Sequence, residues 1–450
     1  MVKRISVLAG ILLIQILCSG IYANPLDYLE DRSKSKQVPY ISSYLPENVG
    51  NNCYITIESQ ARFEHQSEFD FDDTKGEDAN IFLHRLRMNL DFFPKEDYGA
   101  FFQVQDSRAV NLDNLPENLY EDDVDLRQGY FRFGQCSEPL HLKIGRQDLS
   151  FDDQRLVGGF NWSNVARSFD AVRLEWKTEY VGLVPFFAKP VIIDSNEFNE
   201  WDDDDNFAGL HAEWVCPMFT YFSTNFFYRG LDGTRNLSNA EKSIESMDEY
   251  TLDSVIKLGK EPWSFGFEGA YQFGDYGPGD ISAAAIHTDA AYLIKACPWN
   301  SKLKAEYNFA TGDDDPMDGD RETFDNLYPT NHYYYGYIDR FSWRNMHDAM
   351  VGFSVNPHKK ITVDIGHHWL WLATSEDAFY NAGGGVIRPG SDEMADNYVG
   401  QELDVLVRLN AHQRLSLLAG YSHFFAQDYL DQSGNADDAD YVYLQSVLTI

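Results

Sequence analysis

The stretch RLRMNLDFF at residues 85–93 alternates polar and apolar side chains with a period of two. Even-numbered positions from Leu86 to Phe92 are apolar, and odd-numbered positions from Arg85 to Asp91 are polar. Because successive residues of a strand point to opposite faces, one face of this segment is apolar and the other is charged. A strand that borders lipid on one face and a wet lumen on the other needs this arrangement. The stretch therefore predicts a membrane-spanning β-strand.

The same unit, about ten alternating residues and then a turn or a polar loop, recurs from Cys53 to the end of the chain. Short turns alternate with longer acidic and glycine-rich connections, among them Leu149–Arg167, Gly274–Ser282 and Thr311–Tyr335. The last segment, which ends at Ile450, is also amphipathic and can pair with the first strand to close the sheet. The pattern predicts an all-β fold, a transmembrane antiparallel up-and-down barrel of about 18 strands with short periplasmic turns and long extracellular loops.

The beginning of the chain has the three-part pattern of a secretory signal. Lys3 and Arg4 precede an apolar run that ends at Ile16, and Ala23 stands just before the polar Asn24. Beyond this run the sequence has no stretch of 18 or more apolar residues, which excludes apolar membrane-spanning helices. We predict three parts: a signal peptide at 1–23, an N-terminal periplasmic extension or partial plug at 24–52, and an outer-membrane barrel at 53–450.

The chain is strongly acidic. Its formal charge of −35 becomes −37 when the two cations of the signal, Lys3 and Arg4, are removed. Such a charge argues against contacts with nucleic-acid phosphates. An aromatic content of 15 % is typical of barrels, in which aromatic girdles occur together with polar loops and a wet lumen.

Arginine is nevertheless concentrated in one part of the chain, between Arg85 and Arg173. The alternation places Arg85, Arg87 and Arg173 on the lumen side, because an arginine facing the bilayer midplane would cost about 2 to 4 kcal/mol. Lumen arginines favour carboxylate or phosphate ligands, to which they donate paired hydrogen bonds. The alternative is that they pair with lumen acids and brace the wall, and the two roles are compatible.

Four motifs in this region resemble the alginate export porin family. They are GRQDL at 145–149, DQRLVG at 153–158, NW at 161–162 and ARSFDAVR at 166–173. A second block, between Tyr307 and Trp343, is similar to the long-loop region of that family. The resemblance extends from about Arg85 to the C-terminus. It implies an eighteen-stranded barrel with an arginine-rich constriction through which an anionic polyuronate passes by facilitated diffusion.

The alternation and the resemblance together give a set of candidate pore-lining and substrate-binding residues. The set is Arg85, Arg87, Arg127, Arg146, Arg155, Arg167, Asp170 and Arg173. A bulge or a glycine beside Arg127 or Arg146 would reverse the face to which each of these two points.

Other residues that carry chemistry give weaker indications. Acidic clusters at 202–205 and 313–320 are either solvated loop charge or oxygen ligands for Ca²⁺, and we expect no other cofactor and no metal site. His367 and His368 are neighbours on a strand and point to opposite faces, so they do not form a shared site. Common catalytic motifs are absent from the sequence, and we predict no catalytic residues.

These observations favour a porin-like channel in a Gram-negative-type outer membrane for anionic saccharides or polyuronates such as alginate. The alternatives are a general porin, a structural or adhesive surface barrel, and a polysaccharide-acting enzyme. The expected partners are outer-membrane lipid, the anionic saccharide or polymer, and periplasmic export components, with no nucleic acid among them.

Overall fold

The structure is a computed structural model that describes residues 53–72, 78–95, 97–112, 117–134, 139–232, 246–391 and 396–450. The signal peptide and the extension or plug, predicted at 1–23 and 24–52, lie outside the described residues. The remaining chain forms one barrel wall with long connections at one end.

In the part of the chain that the structure describes, eighteen strands form the wall, and three short strands and one helix belong to the connections. The wall strands are β1 (Cys53–Ser67), β2 (Ala79–Lys95), β3 (Tyr98–Val110), β4 (Asp122–Phe133), β5 (Leu140–Gln147), β6 (Phe169–Lys177), β7 (Val181–Ile192), β9 (Asp205–Trp214), β10 (Tyr221–Leu231), β11 (Met247–Lys260), β12 (Trp263–Tyr276), β13 (Gly279–Leu293), β14 (Lys302–Ala310), β15 (Met346–His358), β16 (Ile361–Trp371), β19 (Tyr398–His412), β20 (Leu415–Ala426) and β21 (Ala439–Thr449). The shorter elements are β8 (Glu200–Trp201), β17 (Phe379–Tyr380), β18 (Val386–Arg388), α1 (Asp428–Ser433), and two 3₁₀ turns at Glu117–Leu119 and Asn331–Tyr333.

Each wall strand pairs antiparallel with its neighbours along the chain, and the last strand returns to the first. β21 pairs with β1 over ten residues, with Leu444 opposite Phe63 and Leu448 opposite Ser59. This pairing leaves no free edge, as a barrel in lipid requires. The predicted fold class, strand number and closure by the C-terminal strand are confirmed.

The two faces of the wall differ in polarity. In β2, Phe82 is 45 % exposed and Met88 is 47 % exposed, whereas Arg85 and Arg87 between them are buried. The apolar side chains therefore point outward and the charged ones point inward, which is the reverse of a soluble protein. No helix among the described residues is long and apolar enough to cross a membrane.

One predicted connection is wrong. Gly274–Ser282 is not a long loop, because β12 and β13 stay paired up to Tyr276 opposite Gly279. Only residues 277 and 278 connect the two strands, and Gly277 has a φ of +56°, a conformation that glycine adopts readily. Glycines that suggested a loop are thus part of a strand and a tight turn.

Two long loops fold into the barrel and build its hydrophobic core. We call residues 148–168, between β5 and β6, the crossing loop, and residues 311–345, between β14 and β15, the covering loop. Leu149 and Val157 of the first pack in one cluster with Phe324 and Trp343 of the second, and all four are buried. The core therefore lies inside the wall, where a simple pore would hold water.

Candidate functional site: an arginine wall inside the barrel

The crossing loop reaches from one side of the barrel to the other. At one end, Ser107 of β3 donates a hydrogen bond to the carbonyl of Asn164 (2.8 Å). At the other end, Asp152 accepts hydrogen bonds from Tyr221 (2.7 Å) and Asn225 (2.6 Å) of β10. Farther around, Arg155 lies 3.6 Å from Glu268 of β12, which is nine wall strands from β2 and thus halfway around the wall.

Arginines of β1, β2 and β4 converge on the crossing loop at Asn161. The backbone carbonyl of Asn161 accepts from Arg85 Nη1 (3.1 Å). Its side-chain oxygen accepts from Arg87 Nη1 (3.0 Å) and from Arg127 Nη2 (3.4 Å). Arg62 of β1 donates to the next carbonyl, that of Trp162 (2.8 Å). Four guanidinium groups thus face oxygen acceptors within a short segment of backbone.

The balance of charge in this arginine wall, formed by Arg62, Arg85, Arg87 and Arg127, is uneven. Arg62 pairs with Glu64 (2.6 Å) and Arg127 with Asp148 (2.7 Å).

The other two arginines of the wall rely mainly on uncharged partners. Arg85 lies 3.8 Å from Glu58. Arg87 donates to the amide oxygens of Gln105 (2.6 Å) and Asn161. Among the described residues, the hydrogen-bond partners of Arg87 are thus neutral amides, which an anion can replace with a stronger, charge-assisted hydrogen bond.

Arg127 reaches the lumen because of a bulge in β4. Gln128 pairs with Gln103 and Leu126 pairs with Val104, so Arg127 is an extra residue with no partner position on β3. An extra residue reverses the alternation of the strand on either side of it.

Arg146 and Asp170 do not join this wall. They are opposite each other in the β5–β6 register and form two hydrogen bonds of 2.9 Å. The neighbouring pair on the same face is Ile144 and Val172, both exposed on the outer surface. The ring of Phe198, which is 62 % exposed, lies 5.8 Å from the Arg146 guanidinium. The structure thus places this candidate pair at the outer face of the wall.

Arg155 and Arg167 belong to the crossing loop itself. Burial lowers the pKa of Arg155, but Tyr335 and Tyr334 of the covering loop and nearby glutamates raise it above its usual value. Arg167 donates to the carbonyls of Gly158 (3.1 Å) and Pro329 (2.9 Å), and burial lowers its pKa to about 10. Both arginines therefore hold the two loops in place, and neither lies in the arginine wall.

Arg173 is the last of the candidates and lies nearer the short-turn end of β6. It faces inward, and its Nε is 3.1 Å from Glu175. The structure thus brings the side chains of Arg85, Arg87 and Arg127 together, and the side chains of the other five candidates lie elsewhere.

A second charged group, which is not among the candidate site residues, anchors the covering loop. Asp325 lies 2.9 Å from both Arg229 and Arg344, and 3.8 Å from Arg321. Burial raises the pKa of Asp325, but Arg344, Arg229 and Arg321 hold it well below its usual range. Arg229 and Arg344 are 115 residues apart in sequence (344 minus 229), so a local sequence pattern does not predict that they share this carboxylate.

The covering loop also pairs directly with the crossing loop. The amide of Tyr328 donates to the carbonyl of Leu156 (2.8 Å), and the amide of Gly158 donates to the carbonyl of Tyr328 (2.8 Å). Within the described ranges, no group of three or more His, Cys, Asp or Glu side chains is arranged so that it could hold a metal ion. The site is thus built from arginines, amides and loop carbonyls.

The family described as alginate export matches residues 52–443. This chain belongs to the alginate export family. The match covers the whole barrel wall except its last residues, and it confirms the resemblance seen in the motifs around Arg155 and Arg173. None of the curated proteins matches the sequence significantly.

Several solved structures share the fold of this family member. OccK3 (OpdO) of Pseudomonas aeruginosa superposes with a TM-score of 0.59 at 10 % identity, over 89 % of this chain and 96 % of that one. OpdQ of the same organism gives 0.59 at 12 % identity, over 88 % and 98 %. OccAB1 of Acinetobacter baumannii gives 0.59 at 10 % identity, over 91 % and 99 %. At such identities the likeness shows the fold, and family and fold together are those of a barrel channel and not of an enzyme class.

Proposed function

We propose that this alginate export family member is an outer-membrane channel through which anionic saccharides, polyuronates in particular, pass by facilitated diffusion. The observation that carries the proposal is the convergence of Arg85, Arg87 and Arg127 on the oxygens of Asn161 inside the barrel. These donors bind the loop as they would bind a sugar carboxylate or hydroxyl. The signal peptide remains a prediction, and the outer-membrane lipid and the polymer are the partners that this function requires.

The geometry suits a polymer that carries one carboxylate per unit. A guanidinium offers several N–H donors in one plane and can form paired hydrogen bonds with a carboxylate. Four arginines in one wall offer several neighbouring sites, so that a saccharide chain can move from one to the next without being trapped. Glu64 and Asp148, which pair with Arg62 and Arg127, hold two of these side chains in place. Arg87 donates its hydrogen bonds to neutral amide oxygens in the described part of the chain, and it is the strongest single candidate for contact with the transported saccharide.

Passage requires that the crossing loop give up its hydrogen bonds to the wall. In the described conformation, Arg85 and Arg87 are 3 % and 7 % exposed, because the loop lies against them. An entering anion would replace the Asn161 oxygens as the acceptor for these arginines. The exchange substitutes one set of charge-assisted hydrogen bonds for another, and its net cost is small compared with leaving the arginines unpaired.

Uptake into liposomes tests the proposal. The full chain is reconstituted into vesicles, and permeation of a uronic acid trisaccharide is compared with that of a neutral trisaccharide of the same length. We expect faster permeation of the uronate, and a loss of that preference in Arg87→Gln. Equal permeation of both sugars in the unaltered protein would instead support a general porin.

A second function is favoured by the crossing loop itself. The loop crosses the lumen and is anchored at both sides, and a plugged, non-conducting lumen is the sign of a structural or adhesive surface barrel. Such a barrel would pass neither trisaccharide, and a variant with a weakened loop would pass both without preference. The same vesicle experiment therefore distinguishes the two functions.

A further inference from the structure

Three cations form a row across the inner face of β4, β5 and β6. The row lies nearer the short turns than the arginine wall does. Arg132 of β4 is directly opposite Lys143 of β5, and Lys143 is directly opposite Arg173 of β6. Like charges at opposite positions of adjacent strands destabilise a sheet. A row of this kind therefore has a cost to folding that a function must outweigh.

Two carboxylates of the described residues lie within salt-bridge distance of the row. Asp91 lies 2.6 Å from Arg132, and Glu175 lies 3.1 Å from Arg173 and 3.6 Å from Lys143. Each of these carboxylates already pairs with an arginine, and Glu175 also lies within salt-bridge distance of Lys143. The central residue, Lys143, shares its carboxylate with Arg173 and is the least compensated of the three.

The row is accessible where the arginine wall is not. The side chains of Arg132, Lys143 and Arg173 are 27 %, 31 % and 19 % exposed. Those of Arg62 and Arg127 are 2 % and 4 % exposed, because the crossing loop covers them. Among the described residues, the cations near the short turns are thus more exposed than the arginines that the crossing loop covers.

Two aromatic rings border the row. Phe101 and Tyr130 are opposite each other on β3 and β4, with ring centroids 5.3 Å apart and planes inclined by 30°. Tyr130 is two residues from Arg132 on the same face, and the Lys143 ammonium lies 5.6 Å from its ring centroid. An aromatic surface with a polar edge beside a cation suits a sugar ring that carries a carboxylate.

We propose that Arg132, Lys143 and Arg173, together with Phe101 and Tyr130, form a binding site for one acidic sugar unit at the periplasmic mouth of the lumen. The cations bind the carboxylate, and the aromatic pair packs against the ring. The site receives the polymer before the crossing loop moves. Arg132 is five residues from Arg127, a separation of roughly 16 Å along a strand, so this is a different site from the arginine wall.

The placement relative to the membrane follows from the connections. β4 ends at Phe133, and β5 begins at Leu140 after a short turn, which is the periplasmic type of connection. The crossing loop leaves the opposite ends of β5 and β6. An oligosaccharide supplied from the periplasmic side therefore meets this row first. The inference rests on the proposed function for its choice of cargo.

Two measurements on the full chain test the site. Calorimetry in detergent gives the affinity for a uronic acid trisaccharide, with a neutral trisaccharide as the control ligand. Bilayer recordings of oriented channels then compare block by the uronate from the two sides of the membrane. The variants are Lys143→Gln, the charge-preserving Lys143→Arg, and Lys295→Gln, which removes one charge from an exposed turn on another part of the wall.

We expect Lys143→Gln to weaken uronate binding by about fivefold and to slow block from the periplasmic side alone, because a charge at the mouth of a pore mainly affects association. Lys143→Arg and Lys295→Gln should behave like the unaltered protein. A structural role for Lys143 would affect block from both sides equally, and that result would overturn the site.

The site and the proposed function fail in different ways. If the uronate blocks Lys143→Gln and the unaltered protein equally strongly, the proposed binding site is wrong, but the proposed channel function still stands. If uronate binding depends on Lys143 but no uronate permeates, the binding site is supported and the proposed channel function is wrong. The absence of uronate binding in the unaltered protein overturns both.

Discussion

The indole ring of Trp162 lies flat on the imidazole ring of His332, with ring centroids 3.8 Å apart and planes 9° from parallel. The guanidinium of Arg62 lies on the ring of Trp162 as well, 3.9 Å from its centroid. His332 Nδ1 is 2.7 Å from a carboxylate oxygen of Asp339. One stack thus joins the wall, the crossing loop and the covering loop, so the two loops cannot move independently.

Removing the indole should therefore release both loops together. Trp162 is buried, and truncation of a buried tryptophan to alanine typically costs about 3 to 5 kcal/mol. In Trp162→Ala we expect faster hydrogen exchange at 148–168 and at 311–345, with the exchange of β12 unchanged. Trp162→Phe, which keeps a ring, should show a smaller effect. Unchanged protection of the covering loop would contradict the coupling.

The side chain of Asn161 should compete with the transported saccharide for hydrogen bonds from Arg87 and Arg127. Its side-chain oxygen accepts from Arg87 and Arg127, so Asn161→Ala removes an acceptor that an anion must otherwise displace. We expect the affinity for a uronic acid trisaccharide to rise by about tenfold, which corresponds to about 1.4 kcal/mol. Calorimetry gives the affinity, with Asn196→Ala in an exposed part of another loop as the control. An affinity that falls in Asn161→Ala would show that the amide helps to bind the sugar.

The covering loop should remain docked at mildly acidic pH. The pKa of Asp325 in the folded chain is below its ordinary value of about 3.9, so its stabilising effect is complete above that pH and is lost only as the pH falls toward the folded pKa. Hydrogen exchange at 321–345, corrected for its intrinsic pH dependence, should give equal protection at pH 7 and pH 5. Lower protection at pH 5 would contradict this assignment.

Replacing Asp325 should release the loop at neutral pH. Asp325→Asn leaves the guanidiniums of Arg229 and Arg344 without their shared carboxylate, a change that costs about 3 to 5 kcal/mol in a buried pair. We expect protection at 321–345 to fall at pH 7. Asp314→Asn, in an exposed part of the same loop, is the matched control and should not change it. Equal exchange in both variants would mean that the three arginines do not hold the loop.

Gly158 is a point of close approach between the two loops. A Cβ added there would lie 2.3 Å from Thr330 Oγ1 and 2.6 Å from Gln154 Oε1. Gly158→Ala should push the covering loop away and raise the open probability of single channels. Gly366→Ala on β16 is the control, because its nearest contact would be an ordinary 3.8 Å. The same open probability in both variants would show that Thr330 and Gln154 can adapt.

The sequence predicts the wall well because the wall obeys local rules. Successive residues of a wall strand face lipid and lumen in turn. The inward positions of Arg85 and Arg87 therefore follow from the apolar residues next to them in the sequence. The same rule misplaces Arg127, which faces inward because of a one-residue bulge in β4. Arg146 is a different case: the family resemblance implied a lumen position, whereas alternation with Ile144 predicts the outward face on which Arg146 lies.

The interior could not be predicted in this way. The Trp162–His332 stack joins residues 170 positions apart (332 minus 162), and nothing near either residue indicates the other. Glycine and aspartate in the long connections suggested solvated loops. The buried aromatic residues between them, such as Trp343 and Phe324, form the core when the loops fold inward. The sequence pattern did not indicate that these aromatic residues form a core inside the barrel.

Single-channel block by a uronic acid trisaccharide, in the unaltered protein and in Arg87→Gln, tests the central claim most directly. The control variant is Arg108→Gln, which removes an exposed arginine that pairs with Asp106 on the outer surface. We predict block by the uronate and not by a neutral trisaccharide, with a residence time that falls about tenfold in Arg87→Gln and is unchanged in Arg108→Gln. Block that is equal in all three proteins, or equal for both sugars, would contradict a lumen arginine site for anionic saccharides.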